Sequence, residues 1–408
     1  MKKILLTTYN YPFGCGEAFL ESEIPILARS FKRVYIVPVR RLWVRTDLYE
    51  GRKLPDGVEV LLPQRYGAAL FVHSIMRCVP LLNAYIAICK RTKIGRVGVG
   101  IKSMCSLILR RMCWAFVDVE IARLQCQCQA DLGYAYWKSG CAYPVARLKE
   151  SGSINEVIAR AHHHDLYPNL SPEGYNPFDD YLKCHLDCVY SISNDGINIL
   201  KQIGYKADQI HLSRLGVAKP KHVAASSTDG VLRLISVSRV EHIKRLDLLV
   251  AALKLTPSSM RIEWTHFGTG TQFSAIEESL RSLPANVSAH LQGEVRNVEV
   301  LAHYLNHPVD ILINVSASEG VPVSIMEALS FGVPCIATDV GATSEIVNTA
   351  NGCLLNKNVT SAEVIDAVID LEQRTKSKES LHDEAIQMWE EHFNRDKNFI
   401  DFAEQISN

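Results

Sequence analysis

The segment from Asp310 to Val347, DILINVSASEGVPVSIMEALSFGVPCIATDVGATSEIV, constrains the fold of this chain more than any other. Its first apolar run, Ile311 to Val315, has the length and composition of a buried strand. A loop, Ser316 to Gly320, follows, and then a helix with marked ends. Pro322 suits the first turn, Gly332 the C-terminal end, and Pro334 prevents continuation. A second buried run, Cys335 to Ala337, comes next. Buried strands separated by a helix belong to a parallel sheet covered on both faces.

The same alternation runs through the rest of the chain. The opening MKKILLTTYNYPFGCGEAFLESEIPILARSF reads as a strand at Ile4 to Leu6, a glycine-containing loop, and a helix over Glu17 to Phe31. Val34 to Val39 is the next strand. A second series starts at Val231 to Ser238 and continues with strands at Arg261 to Phe267, Val287 to Leu291, Asp310 to Val315 and Pro334 to Thr338. With 408 residues the chain is too long for one ordinary core. We expect an α/β protein with two doubly wound parallel sheets: a first domain over 1–217, a polar linker and hinge at 218–230, and a second domain over 231–380. The stretch 381–408 is expected to be helical, with Trp389, Phe393, Phe399 and Phe402 placed for docking.

Formal net charge is zero, which argues against a general nucleic-acid binder. The twelve Cys include no CxxC pair, so free thiols in a reducing cytoplasm are the simplest reading. Signal-peptide character is absent at the start, and the best membrane-span candidate, Ala68 to Cys89, is broken by His73, Arg77 and Pro80. From Val60 to Val117 there is no Asp or Glu, while Arg and Lys are frequent among apolar residues. That pattern fits amphipathic basic helices on an anionic membrane surface, and equally a helical layer whose cations face water.

Parallel α/β sheets bind ligands at the carboxyl ends of their strands. The loop Ser318 to Val321 sits at such an end, ahead of a helix N-terminus whose unpaired amides and partial positive charge suit an anion. Glu319 is an odd neighbour for a phosphate, but it fits a group that grips hydroxyls beside one, as on a sugar. Glu319 and Glu327 are eight residues apart. A helical path would separate them by roughly 12 Å and about 80°, whereas glycosidase carboxylates face each other at about 5 to 9.5 Å. Two separate roles fit better than one acid–base pair; the spacing alone fits a loop carboxylate and a helix-surface carboxylate as well. Upstream, SVSRVEHIKRLDLLVAAL places Arg239 and Lys244 just past a strand end. They could clamp a diphosphate as a planar fork and a point charge, or be ordinary charges of a solvated turn.

These motifs, SVSRVEHIKRLDLL, HFGTGTQ, LQGEV and SEGVPVSIMEALSFGVPCIATDVGATSEIV, together resemble the donor domain of the GT-B glycosyltransferases, specifically the retaining family 4 (group 1). They span most of Val231 to Gly352, and the last carries the family's Glu-x7-Glu motif. The resemblance implies a GT-B fold of two Rossmann-like domains with an interdomain cleft that closes on its substrates. It implies that Glu319 contacts the donor sugar and Glu327 the ribose. Arg239 and Lys244 would hold the diphosphate, helped by the backbone of Gly320, Val321, Pro322 and Val323. LQGEV, ending at Val295, would lie on the nucleobase side, and Gly268 would close the FGTG turn of the donor site. In the first half, Gly14 and Gly16 would approach the donor phosphate. RAHHHDLY resembles an Arg-Ala-His-Gly-x-Asp segment, which makes His162 the residue near the donor sugar. His163 stands where that segment has Gly, and Ala342 where the family often has a second Gly. The final stretch would cross back to the first domain.

The activity so implied is retaining transfer from a UDP- or GDP-sugar to a saccharide, lipid-linked by analogy with bacterial surface-polysaccharide enzymes. Neither metal nor cofactor is expected, and the place of work is the cytoplasm or the inner membrane face. The rivals are a GT-B epimerase or phosphorylase and a non-catalytic sugar- or nucleotide-binding subunit.

Overall fold

The computed structural model describes residues 1–14, 16–39, 51–62, 117–118, 120–167, 178–377 and 380–408. The basic stretch 60–117 lies almost wholly outside them. Two compact units result: Met1–Ile192 with Gly196–Ser213 and Phe399–Asn408, and Ser193–Asp195 with Arg214–Asn398.

In the first unit the chain runs β1 (Lys3–Thr8), α1 (Leu20–Ser30), β2 (Arg33–Pro38), β3 (Val58–Val60), β4 (Leu132–Ala135), α2 (Ala142–Glu150), β5 (Glu156–Ala161), α3 (His163–Leu166), α4 (Asp179–His185), β6 (Cys188–Ser191), α5 (Asn194–Gln202) and β7 (Ile210–Leu212). Among the described residues its sheet is all parallel, in the order β3-β2-β1-β4-β5-β6-β7. Both faces are covered. Ile4 and Leu6 of β1 pack with Leu20, Ile24 and Leu27 of α1, whereas Leu5 packs on the opposite side with Val145 and Val157. That two-sided burial is why β1 reads as an unbroken apolar run.

The second unit follows as β8 (Val231–Val237), α6 (Leu246–Leu253), β9 (Arg261–Phe267), α7 (Phe273–Leu280), β10 (Val287–Leu291), α8 (Asn297–Asn306), β11 (Ile311–Asn314), α9 (Val323–Ser330), β12 (Cys335–Thr338), β13 (Gly352–Leu355), α10 (Ser361–Ser377) and α11 (Ser380–His392). Its described strands form a second parallel sheet ordered β10-β9-β8-β11-β12-β13. Strand order reverses between β8 and β11, so the crevice that such sheets offer a ligand opens between the loops after these two strands.

Three expectations are corrected. The first helix begins at Leu20 and not at Glu17, because Glu17 has a left-handed backbone (φ 57°) and belongs to the preceding loop. The coil 218–230 is no free linker: Ala224 donates to Phe331 O at 2.9 Å, Ala225 O accepts from Val309, and Ser227 bonds the Asp310 carboxylate through N and Oγ. The unit boundary falls earlier, between Ser213 and Arg214. Finally, 381–408 is two helices, α11 and α12 (Arg395–Ser407), broken where the Phe393 carbonyl accepts the Val217 amide. Trp389 of α11 is buried in the second unit, and Phe402 and Ile406 of α12 in the first, among Ile4, Leu6 and Ile24.

Candidate functional site

The loops after β8 and β11 are joined by a dense set of bonds. Ala317 N–H donates to the Ile243 carbonyl at 2.7 Å. Arg245 reaches across with Nε on Val315 O at 2.6 Å and a terminal nitrogen on Ser316 O at 3.2 Å, while its other nitrogen bonds Lys357 O at 2.8 Å. Arg245 is left-handed (φ 50°, ψ 42°), a conformation that costs a non-glycine residue about 1–2 kcal/mol. Three charge-assisted bonds to carbonyls offset that cost. Sequence reasoning passed over Arg245, since a cation beside Lys244 carries no sign that it points into backbone.

On this frame Lys244 and Glu319, 75 positions apart, meet: Lys244 Nζ donates to Glu319 Oε1 at 2.6 Å. Asn314, the last residue of β11, donates to the same Oε1 at 3.2 Å, and its own Oδ1 accepts the Ser316 amide and hydroxyl. Both side chains of the ion pair are only partly screened from water, with 19% of Lys244 and 11% of Glu319 accessible. The exposed Arg239 side chain, in the same β8 loop, makes no hydrogen bond or ion pair among the described residues. The sheet's switch point thus presents a cation, a second cation bound to a carboxylate, and that carboxylate.

Helix α9 begins directly after this loop. Pro322 is its N-cap, and the first amides tied back are Ile325 and Met326, both to Pro322 O. The amides before them face out of the helix start, where the peptide dipoles leave partial positive charge. Gly320 and Val321 are half-buried, Pro322 is buried and Val323 exposed. One turn further in, Glu327 is buried and accepts Asn297 Nδ2 at 2.8 Å. Burial raises its carboxyl from 4.5 to about 7, with the Asn297 bond opposing that rise. Asn297 opens α8, two residues past the half-buried Val295.

Two glycines permit backbone contacts that no side chain would allow. At Gly268 (φ 131°) a Cβ would lie 1.9 Å from Ser238 O, so this turn packs onto the β8 loop. At Gly341 (φ 57°) a Cβ would lie 2.0 Å from Glu319 O, and the next residue, Ala342, donates to Gly320 O at 3.1 Å. Gly341 therefore supports Glu319 from behind. The sequence signal for it was present in ATDVGA, but not its target.

In the first unit the corresponding switch point lies between β1 and β4. Glu17 closes the β1 loop: its carboxylate accepts the amides of Tyr9, Asn10 and Tyr11 at 2.7–2.8 Å and the Trp137 indole N–H at 2.7 Å. Gly14 and Gly16 lie in this loop, and Arg52 takes both their carbonyls, at 2.7 and 2.9 Å. His162 follows β5 as the N-cap of α3 and packs against the Tyr136 and Trp137 rings at 4.7 and 4.6 Å. Its Nε2 is buried without a partner among the described residues, and burial together with the Arg160 charge lowers its pKa to about 3. The ring is neutral at physiological pH. Asp165 accepts the amides of His162, Lys138 and Ser139, which ties the β5 loop to the β4 loop.

Residues 220–388 match the family model "Glycosyl transferases group 1". The putative colanic acid biosynthesis glycosyltransferase WcaL of Escherichia coli K12 is 26% identical over 225 residues, 52% of this chain and 55% of that protein. The O-antigen biosynthesis glycosyltransferase WbnH of Escherichia coli is 26% identical over 179 residues, 43% of this chain and 48% of that protein. The chain spans about half the length of the curated relatives it matches. Among solved structures, the lipopolysaccharide outer core galactosyltransferase WaaB in its apo form aligns over 100% of both chains with a TM-score of 0.70 at 15% identity. Anabaena Alr3699/HepE in complex with UDP does so with 0.65 at 16%. These likenesses identify the fold as GT-B.

Proposed function

For a chain of GT-B fold with a group 1 glycosyl transferase domain over residues 220–388, we propose that it transfers a sugar, with retention, from a nucleoside-diphosphate sugar to a saccharide. One observation carries this reading. Lys244 and Glu319 meet at 2.6 Å beside the N-terminus of α9, so a site for phosphate charge and a site for hydroxyls are adjacent. Arg239, Lys244 and the leading amides of α9 hold the diphosphate and stabilise the charge that grows on it as the bond to the anomeric carbon breaks. Glu319 grips the sugar, and Glu327 the ribose hydroxyls. The acceptor hydroxyl attacks from the leaving-group face: its oxygen bonds to the anomeric carbon and its proton passes to the departing phosphate oxygen. With cations and helix amides supplying the positive charge, no divalent metal takes part. UDP in the HepE complex supports a nucleoside-diphosphate-linked donor, and the names of WcaL and WbnH support an acceptor in a bacterial surface polysaccharide; a UDP- or GDP-sugar and a lipid-linked acceptor complete the proposal. No helix among the described residues is long and apolar enough to cross a membrane, and work at the inner membrane face is part of the proposal.

The test is a thermal-shift screen of nucleotide-sugars followed by product analysis with EDTA present. We expect one nucleotide-sugar to raise the melting temperature, since a ligand of the folded state stabilises it, and turnover to persist in EDTA. Glu319→Ala should reduce turnover by at least about a hundredfold, as does removal of one preorganised group in comparable sites. Wild-type turnover in Glu319→Ala would refute the assignment of this site.

A further inference from the structure

Glu319 carries two hydrogen bonds from described residues, and both end on the same oxygen. Lys244 Nζ at 2.6 Å and Asn314 Nδ2 at 3.2 Å converge on Oε1, whereas Oε2 has no partner among the described residues and is not sealed from water. We infer that Asn314 is a positioning residue for sugar recognition: it fixes the Glu319 carboxylate so that Oε1 is saturated and Oε2 is left as the acceptor for a donor-sugar hydroxyl. This rests on the reading of Glu319 as the sugar-binding group.

The orientation of the Asn314 amide is not arbitrary. An amide can be turned end for end, and only its partners decide which end is which. The Ser316 backbone N–H, 3.1 Å away, can only donate, so the end facing it is Oδ1, and the Ser316 hydroxyl adds a second bond to that oxygen at 2.6 Å. The NH2 end must then face Glu319. Ser316 is in turn fixed, because its carbonyl accepts Thr338 Oγ1 at 2.5 Å and Arg245 at 3.2 Å. A chain of bonds therefore runs from β12 through Ser316 and Asn314 to Glu319. Lys244 cannot supply the same constraint throughout, since a bound diphosphate competes for its ammonium. Asn314 is neutral, stays on β11, and has no reason to leave. A donor bond to a carboxylate contributes about 1.5–3 kcal/mol, corresponding to roughly tenfold to a hundredfold in binding or rate.

The experiment compares wild type, Asn314→Ala, Asn314→Asp and Glu319→Ala. The probes are UDP-glucose, UDP-N-acetylglucosamine, UDP-galactose and GDP-mannose, each beside its free nucleoside diphosphate. Asn314→Ala should weaken binding of the best nucleotide-sugar about tenfold and leave affinity for the free diphosphate within about twofold, because Asn314 bonds Glu319 and Ser316 and none of the groups assigned to the diphosphate. Asn314→Asp keeps the shape and the acceptor for Ser316 but presents an oxygen to Glu319. Its carboxylate repels that of Glu319, and it should lose at least about tenfold in turnover. Turnover of Asn314→Asp within twofold of wild type, or an equal loss of diphosphate and nucleotide-sugar affinity in Asn314→Ala, would overturn the role of Asn314. Full turnover in Glu319→Ala, or wild-type protein that binds none of the four probes, would instead overturn the function on which it rests.

Discussion

With the ribose role proposed for Glu327, one side chain links binding to pH. Its carboxyl is raised from 4.5 to about 7 because it is buried, with a single opposing bond from Asn297. A raised carboxyl binds its proton more tightly in the fold than in the open chain. Its contribution to stability is therefore fully present below pH 4.5 and is lost as pH rises through about 7. Ribose hydroxyls, by contrast, donate best to the ionised form. Donor affinity should therefore rise with pH across the same window in which this part of the fold loses stability. Asn297→Ala removes the one bond that favours ionisation, so the affinity profile should move to higher pH, and Glu327→Gln should flatten it. Calorimetric titration of the nucleotide-sugar between pH 5.5 and about 8.5 reads both effects. An unmoved profile in Asn297→Ala would mean that Asn297 merely fills space.

At the scale of elements, the loops flanking the strand-order reversal are braced in both sheets, and each sheet secures them differently. In the second unit a cation, Arg245, reaches three carbonyls. In the first an anion, Glu17, reaches three amides and an indole N–H. Opposite charges do the same work because one loop turns its carbonyls inward and the other its amides. Glu17→Ala abandons four charge-assisted bonds, and we expect a loss of at least about 2 kcal/mol, since such bonds are worth about 1.5–3 kcal/mol each and water recovers part of the loss. Urea unfolding followed by tryptophan fluorescence checks this, because Trp137 is one of the four donors. No change in the midpoint would show the loop to be held by packing alone.

At the scale of the whole chain, the last ten residues complete a core begun by the first ten. Phe402, Ala403 and Ile406 of α12 pack with Ile4 and Leu6 of β1. Beneath them Arg160 and Glu23, both 0% exposed, pair at 2.5 Å, with Tyr134 also donating to Glu23 and the Phe402 ring 4.1 Å from the guanidinium. Breaking a buried pair on one side costs about 3–5 kcal/mol, whereas replacing both partners by apolar groups is often neutral. Arg160→Met should therefore destabilise by that amount, and Glu23→Leu added to it should recover most of the loss. Chemical denaturation of the two variants decides the matter; additive losses would show that the pair is not coupled. Secondary structure was legible to different depths. Arg261–Phe267 and Val287–Leu291 coincide with β9 and β10, because apolar periodicity is strong there. The strand Gly352–Leu355 gave no such sign, being four residues long with no β-branched side chain.

The amino-acid sequence by itself determined the α/β class and the parallel sheets, because these follow from local periodicity and helix-end residues, and the resemblance of its motifs to the group 1 glycosyltransferases singled out Lys244, Glu319 and Glu327. Only the tertiary structure decided that Lys244 bonds Glu319, that Asn314 and Asn297 hold the two carboxylates, and that Arg245 and Gly341 brace the loops around them. Each of these depends on the directions in which side chains leave separate strands and helices. Those directions arise when the sheet assembles, and no window of neighbouring residues records them.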